Sequence, residues 1–169
     1  MKKLGRIGRI GHRIHGDRAQ RVRGIGWEYV HVAIDDCTRV PYAETLADET
    51  GATTAGFLTR ALTCYRARGI RVPRLLTDNG GHYRSGALRA VVRRHRLTHR
   101  RPRPHTPRTN GKAERFIRTL LQAWAYAQAY RTSAHRARML PKYLYYFATQ
   151  RRHCGLQGQT PAERLAQVL

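Results

Sequence analysis

The chain has 169 residues, 41% of them hydrophobic, and a formal net charge of +23. A chain of this length can bury one real core, and its apolar fraction argues against a disordered polypeptide. No apolar run reaches the roughly 20 residues of a membrane span, and three widely spaced cysteines argue against a zinc or disulfide framework.

The positive charge is the strongest compositional signal. Lysine and arginine together number 33, whereas only 10 residues are acidic. A surface with this excess attracts a polyanion and releases its counterions, so nucleic acid is the expected partner. We expect no membrane contact, because no basic amphipathic anchor is evident, and a cytoplasmic location, because no signal-peptide core follows Met1.

The front third of the chain predicts a basic arm followed by a β-hairpin. Residues 1–26 are rich in glycine and arginine and suggest a flexible arm or a long hairpin loop. Residues 27–34 alternate, which predicts a strand with two distinct faces: Tyr29, His31 and Ala33 on one, Val30, Val32 and Ile34 on the other. Asp35 and Asp36 then turn the chain into a second strand over 39–46, in which Pro41 suggests an edge position.

The middle of the chain predicts a helix, a buried strand and a second, shorter helix. Residues 52–68 carry an apolar stripe at helical spacing. Residues 74–77 form a short buried strand that ends at Asp78, and a short helix follows around Leu88. The basic segment 99–108 is too interrupted by proline for either regular element.

The last third predicts three helices. The strongest spans 110–130, with apolar residues repeating at i, i+3, i+4 and i+7. A further helical stretch covers 133–150 and restarts at Pro141. Thr160 and Glu163 form a capping box with proline at the first helical position, which begins a final short helix. These elements predict an α/β fold with a mixed sheet flanked by helices.

Two acidic residues are candidates for chemistry. Asp78 stands where a strand ends and a glycine-rich loop begins, the edge at which open α/β sheets bind ligands. Glu114 lies one turn into the long helix, at the border of its apolar stripe. Each has a simpler explanation: an Asx-turn for Asp78 and the helix dipole for Glu114. Carboxylates on so basic a surface would repel DNA unless a divalent metal joined them, and Mg²⁺ binds such ligands.

The residues around these two acids resemble a known family. The segments LLTDNGGHYRS and HTPRTNGKAERFIRTL resemble the second half of the catalytic core of DDE insertion-sequence transposases, which is similar to retroviral integrase. In that family an aspartate and a glutamate are separated by 35 residues, as are Asp78 and Glu114 here. The segments WEYVHVAIDDCTRVPYAE and RRHCGLQGQTPAERL extend the resemblance over nearly the whole chain.

The resemblance implies an RNase H-like fold and the cleavage and strand transfer of DNA with Mg²⁺ or Mn²⁺. Asp78 and Glu114 match two of the family's three metal-binding carboxylates. The implied partners are DNA (transposon ends and target) and further copies of the chain, in the bacterial cytoplasm. The residues expected to contact DNA lie before and along the long helix; they are Arg108, Asn110, Gly111, Lys112, Arg115 and Arg118. For Arg115 and Arg118, a solvated helix face that pairs with Glu114 is the alternative.

The match to the family breaks at the N-terminus. The family's first aspartate precedes a segment like KKLGRI, which here is preceded only by Met1. We therefore expect one metal ligand and the first strand of the sheet to be missing, through truncation or a misassigned start, and the chain to be inactive as it stands. Asp35 is the acid that could stand in. The expected organisation is a basic arm over 1–26, a catalytic core over 27–130 and a C-terminal helical extension over 131–169.

Two other functions stay open. A non-catalytic DNA-binding fragment of a transposase would keep the basic cleft without assembling the metals. A basic RNA-binding protein is a more distant alternative. The Asp78–Glu114 spacing argues against it, as does the absence of an aromatic RNA-stacking motif.

Overall fold

The computed structural model describes residues 1–7, 24–102 and 111–169. Within these residues the strands are β1 (Lys2–Gly5), β2 (Trp27–Ile34), β3 (Pro41–Leu46), β4 (Arg74–Leu76) and β5 (Thr98–Arg100). The helices are α1 (Gly51–Ala67), α2 (Gly86–Arg94), α3 (Gly111–Leu120, continued by a π-helical turn over Leu121–Ala125), α4 (Ser133–Thr149) and α5 (Pro161–Val168). Among the described residues, none of the helices combines the length and the hydropathy of a membrane span.

The strands form two sheets. β1, β2 and β3 make an antiparallel sheet in that order, with Lys2 opposite Val30 and Val32 opposite Ala43. β4 and β5 pair in parallel over three residues each. Antiparallel and parallel pairs therefore coexist, and the predicted α/β class and the predicted hairpin of β2 and β3 are confirmed.

Helices cover both faces of β2, as its alternating sequence predicts. Val30 packs in one core cluster with Phe116 and Trp124 of α3 and with side chains of α4. On the opposite face, His31 contacts Phe57 of α1, with the two ring centroids 5.3 Å apart. A strand enclosed in this way must satisfy its polar groups internally. His31 does so by donating from Nε2 to the carbonyl oxygen of Asp48, at 2.9 Å.

The N-terminal residues differ from the prediction. Lys2–Gly5 form β1, although the sequence predicted an arm or hairpin loop there and the resemblance led us to expect the first strand to be missing. Both expectations are wrong for these residues. Leu4 is completely buried, but a strand of four residues is too short to show a period, and it owes its conformation to pairing with β2. The rest of the predicted arm lies largely outside the described residues.

Three further element boundaries differ from the prediction. The helix expected over 110–130 ends at Ala125, where the hydroxyl of Tyr130 donates to the Trp124 carbonyl at 2.7 Å and folds the chain back. Residues 99 and 100 belong to β5, a strand that depends on its partner β4. Finally, α4 runs through Pro141 without a restart.

A buried ion pair joins the sheet to α4. Arg136 Nη2 lies 2.5 Å from Glu28 Oε1 on β2, and it also donates to the carbonyl oxygen of Gly5 on β1 at 2.7 Å. The Arg136 and Glu28 side chains are only 2% and 9% exposed. Because each charge is removed from water, each depends on the other for compensation. This one guanidinium therefore fixes β1, β2 and α4 relative to one another.

We predict that Arg136→Met lowers the free energy of unfolding by about 3–5 kcal/mol, because it leaves the Glu28 carboxylate buried without a partner. Urea denaturation followed by circular dichroism measures the change. The matched control is Arg138→Met on the same helix, whose arginine is exposed and should change stability by less than about 0.5 kcal/mol. Equal midpoints for the two variants would contradict the prediction. The double variant Arg136→Met/Glu28→Leu should recover part of the loss.

Candidate active site

Asp78 lies two residues beyond the end of β4, in an exposed position. Its Oδ1 accepts a hydrogen bond from the backbone N–H of Gly80 at 2.8 Å, which is the Asx-turn that the sequence left open as an explanation. Within the described residues, Oδ2 has no hydrogen-bond partner. One oxygen therefore shapes the loop, and the other is available to a ligand.

The residue before Asp78 ties this loop to β5. Thr77 is buried; its hydroxyl donates to the Asp78 carbonyl oxygen at 3.0 Å and lies 2.8 Å from Nε2 of His99. Because the hydroxyl has a single proton, Nε2 of His99 must donate in the second bond. Burial lowers the pKa of His99, and the charge of Arg101 adds to the effect, so the neutral imidazole is favoured, in the tautomer with its proton on Nε2.

The glycine-rich loop closes tightly over Asp78. A Cβ atom added to Gly80 would lie 2.7 Å from Cε1 of His82 and 3.0 Å from Oδ1 of Asp78, so a larger residue there would force the His82 side chain to shift. The His82 ring packs on Tyr83, with centroids 4.1 Å apart. Burial, together with the charge of Asp78, raises the pKa of Tyr83 to about 12. The Tyr83 side chain is therefore uncharged where it packs against His82 in the loop.

The start of β1 is a neighbour of Asp78. Burial lowers the pKa of the Met1 amino group, and the negative charges of Asp78 and Glu49 act against that shift. A group that feels both charges lies within electrostatic reach of both. The amino group at the N-terminal end of β1 therefore feels the charge of the loop after β4, although β1 and β4 belong to different sheets.

The turn between β2 and β3 gives its two aspartates different tasks. Oδ2 of Asp35 accepts from the backbone N–H and the hydroxyl of Thr38, both at 2.7 Å, and from the N–H of Cys37 at 3.2 Å. Asp35, the acid that could have stood in as a metal ligand, thus builds the turn. The side chain of Asp36 points outward and is 85% exposed.

The first turn of α3 carries Glu114. Its side chain is exposed and has no hydrogen bond or ion pair within residues 1–7, 24–102 and 111–169. Lys112, two residues earlier, bonds to Oδ1 of Asp36 at 2.5 Å. Arg115 and Arg118 are exposed, and neither pairs with Glu114 among the described residues. Arg108 and Asn110, also expected to contact DNA, lie outside those residues.

The two candidate ligands, Asp78 and Glu114, are of the type that a hard divalent cation takes. Oδ2 of Asp78 and the carboxylate of Glu114 are the oxygen ligands that Mg²⁺ and Mn²⁺ take, with water and phosphate oxygens in the remaining positions. The described part of the chain has no group of three or more His, Cys, Asp or Glu side chains placed to hold a metal. Asp78 and Glu114 therefore match the ligand type that such a cation takes, and a site would need at least one further ligand from another carboxylate or the substrate.

Sequence reasoning missed the groups that support Asp78. His99 was assigned to an irregular basic segment, because a three-residue strand with polar side chains at each position has no detectable period. His82 was read only as part of a glycine-rich loop. Its Nε2 is buried without a hydrogen-bond partner in the described part, a property that no sequence pattern reveals.

Comparison with known proteins yields a consistent set of similarities. Two family models, both described as integrase core domain, match residues 9–107 and 95–161. The chain is 36% identical over 94 residues to the Intracisternal A-particle Pol-related polyprotein of mouse intracisternal A-particle MIA14, covering 55% of this chain and 10% of that protein. It is 39% identical over 57 residues to the Retrovirus-related Pol polyprotein from transposon TNT 1-94 of Nicotiana tabacum, covering 34% and 4%. The chain thus spans a tenth or less of these relatives.

Solved structures show the fold. The catalytic core domain of BIV integrase superposes with a TM-score of 0.62 at 21% identity, over 83% of this chain and 87% of that one. A simian T-cell lymphotropic virus intasome, in complex with the PP2A regulatory subunit B56 gamma, contains a chain with a TM-score of 0.67 at 20% identity, over 84% and 49%. These likenesses confirm the RNase H-like architecture.

We predict that the fold loses stability as the pH falls below about 6.5, the ordinary pKa of a histidine. Burial lowers the pKa of both His31 and His99, so the unfolded chain takes up protons more readily than the folded chain. The stabilising contribution is complete above that pH and declines below it. The urea midpoint should therefore be lower at pH 5.5 than at pH 7.5, and a higher midpoint at pH 5.5 would refute the assignment.

His99→Gln provides the internal comparison for this pH effect. The glutamine amide can donate to the Thr77 hydroxyl without titrating. The variant should therefore lose less stability than the parent chain between pH 7.5 and 5.5.

Proposed function

The chain belongs to the integrase core domain family, and on that premise we propose that it forms part of a catalytic core that cleaves DNA and transfers its strands. The observation that carries the proposal is the pair of available carboxylates, Asp78 after β4 and Glu114 in the first turn of α3. They stand in a chain of net charge +23, where bare carboxylates would oppose the binding of a phosphate backbone.

In this proposal Asp78 and Glu114 hold Mg²⁺ or Mn²⁺. A metal bound there would stabilise the attacking and leaving oxygens of a phosphodiester. The chain's own residues prepare the site: Thr77 and His99 hold the backbone at Asp78, and Gly80 turns one of its oxygens into the loop. The second oxygen makes no hydrogen bond among the described residues and is available to a ligand.

The exposed cations of α3 are the proposed DNA contacts. Arg115 and Arg118 follow Glu114 on exposed positions of the helix, and arginine binds phosphate with a planar pair of donors. By resemblance, Arg108, Asn110, Gly111 and Lys112 would approach the same backbone. We also propose transposon ends and target DNA as substrates and an oligomer as the acting form; the likeness to an intasome chain supports the latter.

A non-catalytic DNA-binding role is the second candidate. It is favoured by the lack of a three-residue metal-binding group among the described residues. Both candidates require DNA binding, and they differ only in whether the bound DNA is cleaved. Two experiments therefore follow, one on binding and one on chemistry.

DNA binding should weaken steeply with salt, because each neutralised phosphate releases counterions. Arg118→Gln should make the plot of log K against log salt concentration shallower by about 0.9 on duplex DNA, the value for one phosphate contact. Fluorescence anisotropy with a labelled oligonucleotide at four salt concentrations measures the slope. Arg138→Gln, an exposed arginine on α4, is the control and should change it less. Equal changes in slope for the two variants would mean that DNA binds the positive surface without a defined site.

Cleavage should depend on a carboxylate beside Asp78. Whatever precedes Met1 in the intact protein, the 169 residues alone supply two carboxylates of the three that the resemblance implies. By resemblance, the family's first aspartate precedes the segment KKLGRI, so an aspartate added directly ahead of Met1 would supply the third carboxylate. We expect Mn²⁺-dependent cleavage of a labelled oligonucleotide by the extended chain and none by the 169-residue chain.

Asp78→Asn in the extended chain is the control for metal-dependent chemistry and should abolish the cleavage. Unchanged cleavage in this variant would contradict the proposed site. An extended chain that binds DNA with a steep salt dependence but never cleaves it would support the non-catalytic candidate instead.

A further inference from the structure

We propose that Asp36 is a positioning residue for α3: its carboxylate, acting through Lys112, sets the orientation of the first helical turn and hence of Glu114. The role assigned to Glu114 rests on the proposed function, whereas the contact itself does not. Nζ of Lys112 lies 2.5 Å from Oδ1 of Asp36 and 3.3 Å from its backbone carbonyl oxygen. One ammonium group therefore bonds twice to one residue.

The turn between β2 and β3 holds Asp36 in a fixed place. Asp35 closes the turn with its side chain, and its carbonyl oxygen accepts from the N–H of Arg39 at 3.0 Å. Arg39 adopts a φ of 64°, a left-handed conformation that a residue with a side chain adopts only where its surroundings impose it. Asp36 is thus presented from a rigid hairpin tip, where Nη1 of Arg39 lies 3.7 Å from the same Oδ1 that bonds Lys112.

The first turn of α3 has no apolar anchor of its own. Phe116 and Leu120, which are 2% and 1% exposed, are the buried residues of Gly111–Leu120, and both lie beyond this turn. Lys112 precedes Phe116 by four residues and so lies on the same face. The ion pair with Asp36 therefore extends the attachment of this face towards the helix start, where the apolar contacts stop.

Holding Lys112 determines where Glu114 points. Two residues along an α-helix correspond to a rotation of about 200°, so Glu114 lies on the side opposite Lys112. Because both residues belong to one helical turn, a rotation of that turn that displaces Lys112 rotates Glu114 by the same angle. An exposed ion pair contributes little to global stability, and its effect is therefore local.

Positioning and direct DNA contact predict opposite effects of removing Asp36. If Lys112 served mainly to bind phosphate, Asp36→Ala would free its charge, remove a negative charge from the surface and strengthen DNA binding and catalysis together. If Asp36 positions α3, the same variant impairs catalysis while DNA binding stays equal or becomes tighter.

The test compares Asp36→Ala, Lys112→Met and the double variant, with Asp36→Glu and Lys142→Met as matched controls. Hydrogen exchange of the Arg115 and Phe116 amides is measured in the 169-residue chain, because these amides bond to the carbonyls of the first turn. Both single variants should exchange about two- to fivefold faster there. The double variant should be no worse than either, because the two residues act as one unit. Asp36→Glu and Lys142→Met should stay close to the parent.

In the chain extended by an aspartate, Asp36→Ala should lower kcat about tenfold with KM for DNA unchanged or lower, since small misplacements of a catalytic group are costly. Unchanged exchange at Arg115 and Phe116, or a kcat that rises, would overturn the positioning role. Faster exchange in a chain that shows no cleavage in any form would leave the anchor intact and instead count against the proposed function.

Discussion

The buried pairing of Arg136 with Glu28 is the interaction on which the geometry of the molecule depends. Removing two charges from water is unfavourable unless each finds its partner in good geometry, and here the guanidinium also satisfies the carbonyl oxygen of Gly5. The guanidinium belongs to α4, and the oxygens that accept its hydrogen bonds belong to β1 and β2. Because the amino group ahead of β1 feels the charge of Asp78, the placement of this short strand bears on the electrostatics of the candidate site.

The loop after β4 shows how a carboxylate is kept both ordered and available. Gly80 bonds one oxygen of Asp78, and the Thr77–His99 pair fixes the backbone from the other side. Partial burial favours the neutral form of His99, which donates here as the tautomer with its proton on Nε2. Order in the loop therefore does not require the second oxygen, which stays available for the cation that we propose it binds.

The cations around α3 divide into two groups by their partners. Lys112 is already paired with Asp36, and in our proposal this ion pair attaches the helix to the turn between β2 and β3. Arg115 and Arg118 lack ion-pair partners in the part of the chain that the structure describes, and both are exposed. The unpaired arginines are therefore the natural contacts for phosphate, and a count of basic residues in the sequence cannot make this distinction.

The sequence by itself determined the elements whose side chains repeat along the chain. The strand of Trp27–Ile34 and its two faces, the helix near 52–68 and the capping box at Thr160 were all predicted and are confirmed. So was the position of Asp78 at the end of a strand. The segments around Asp78 and Glu114 also carried the resemblance to the family, because a sequence motif can be recognised without the fold.

Only the tertiary structure decided the features that depend on distant partners. β1 and β5 are too short to form without the strands beside them, and the ion pair from Arg136 to Glu28 spans 108 residues of sequence. The bond from Lys112 to Asp36 spans 76. Neither pairing leaves a period or a motif in the sequence, because what makes a side chain bind its partner at such a separation is the packing of the sheet against its helices.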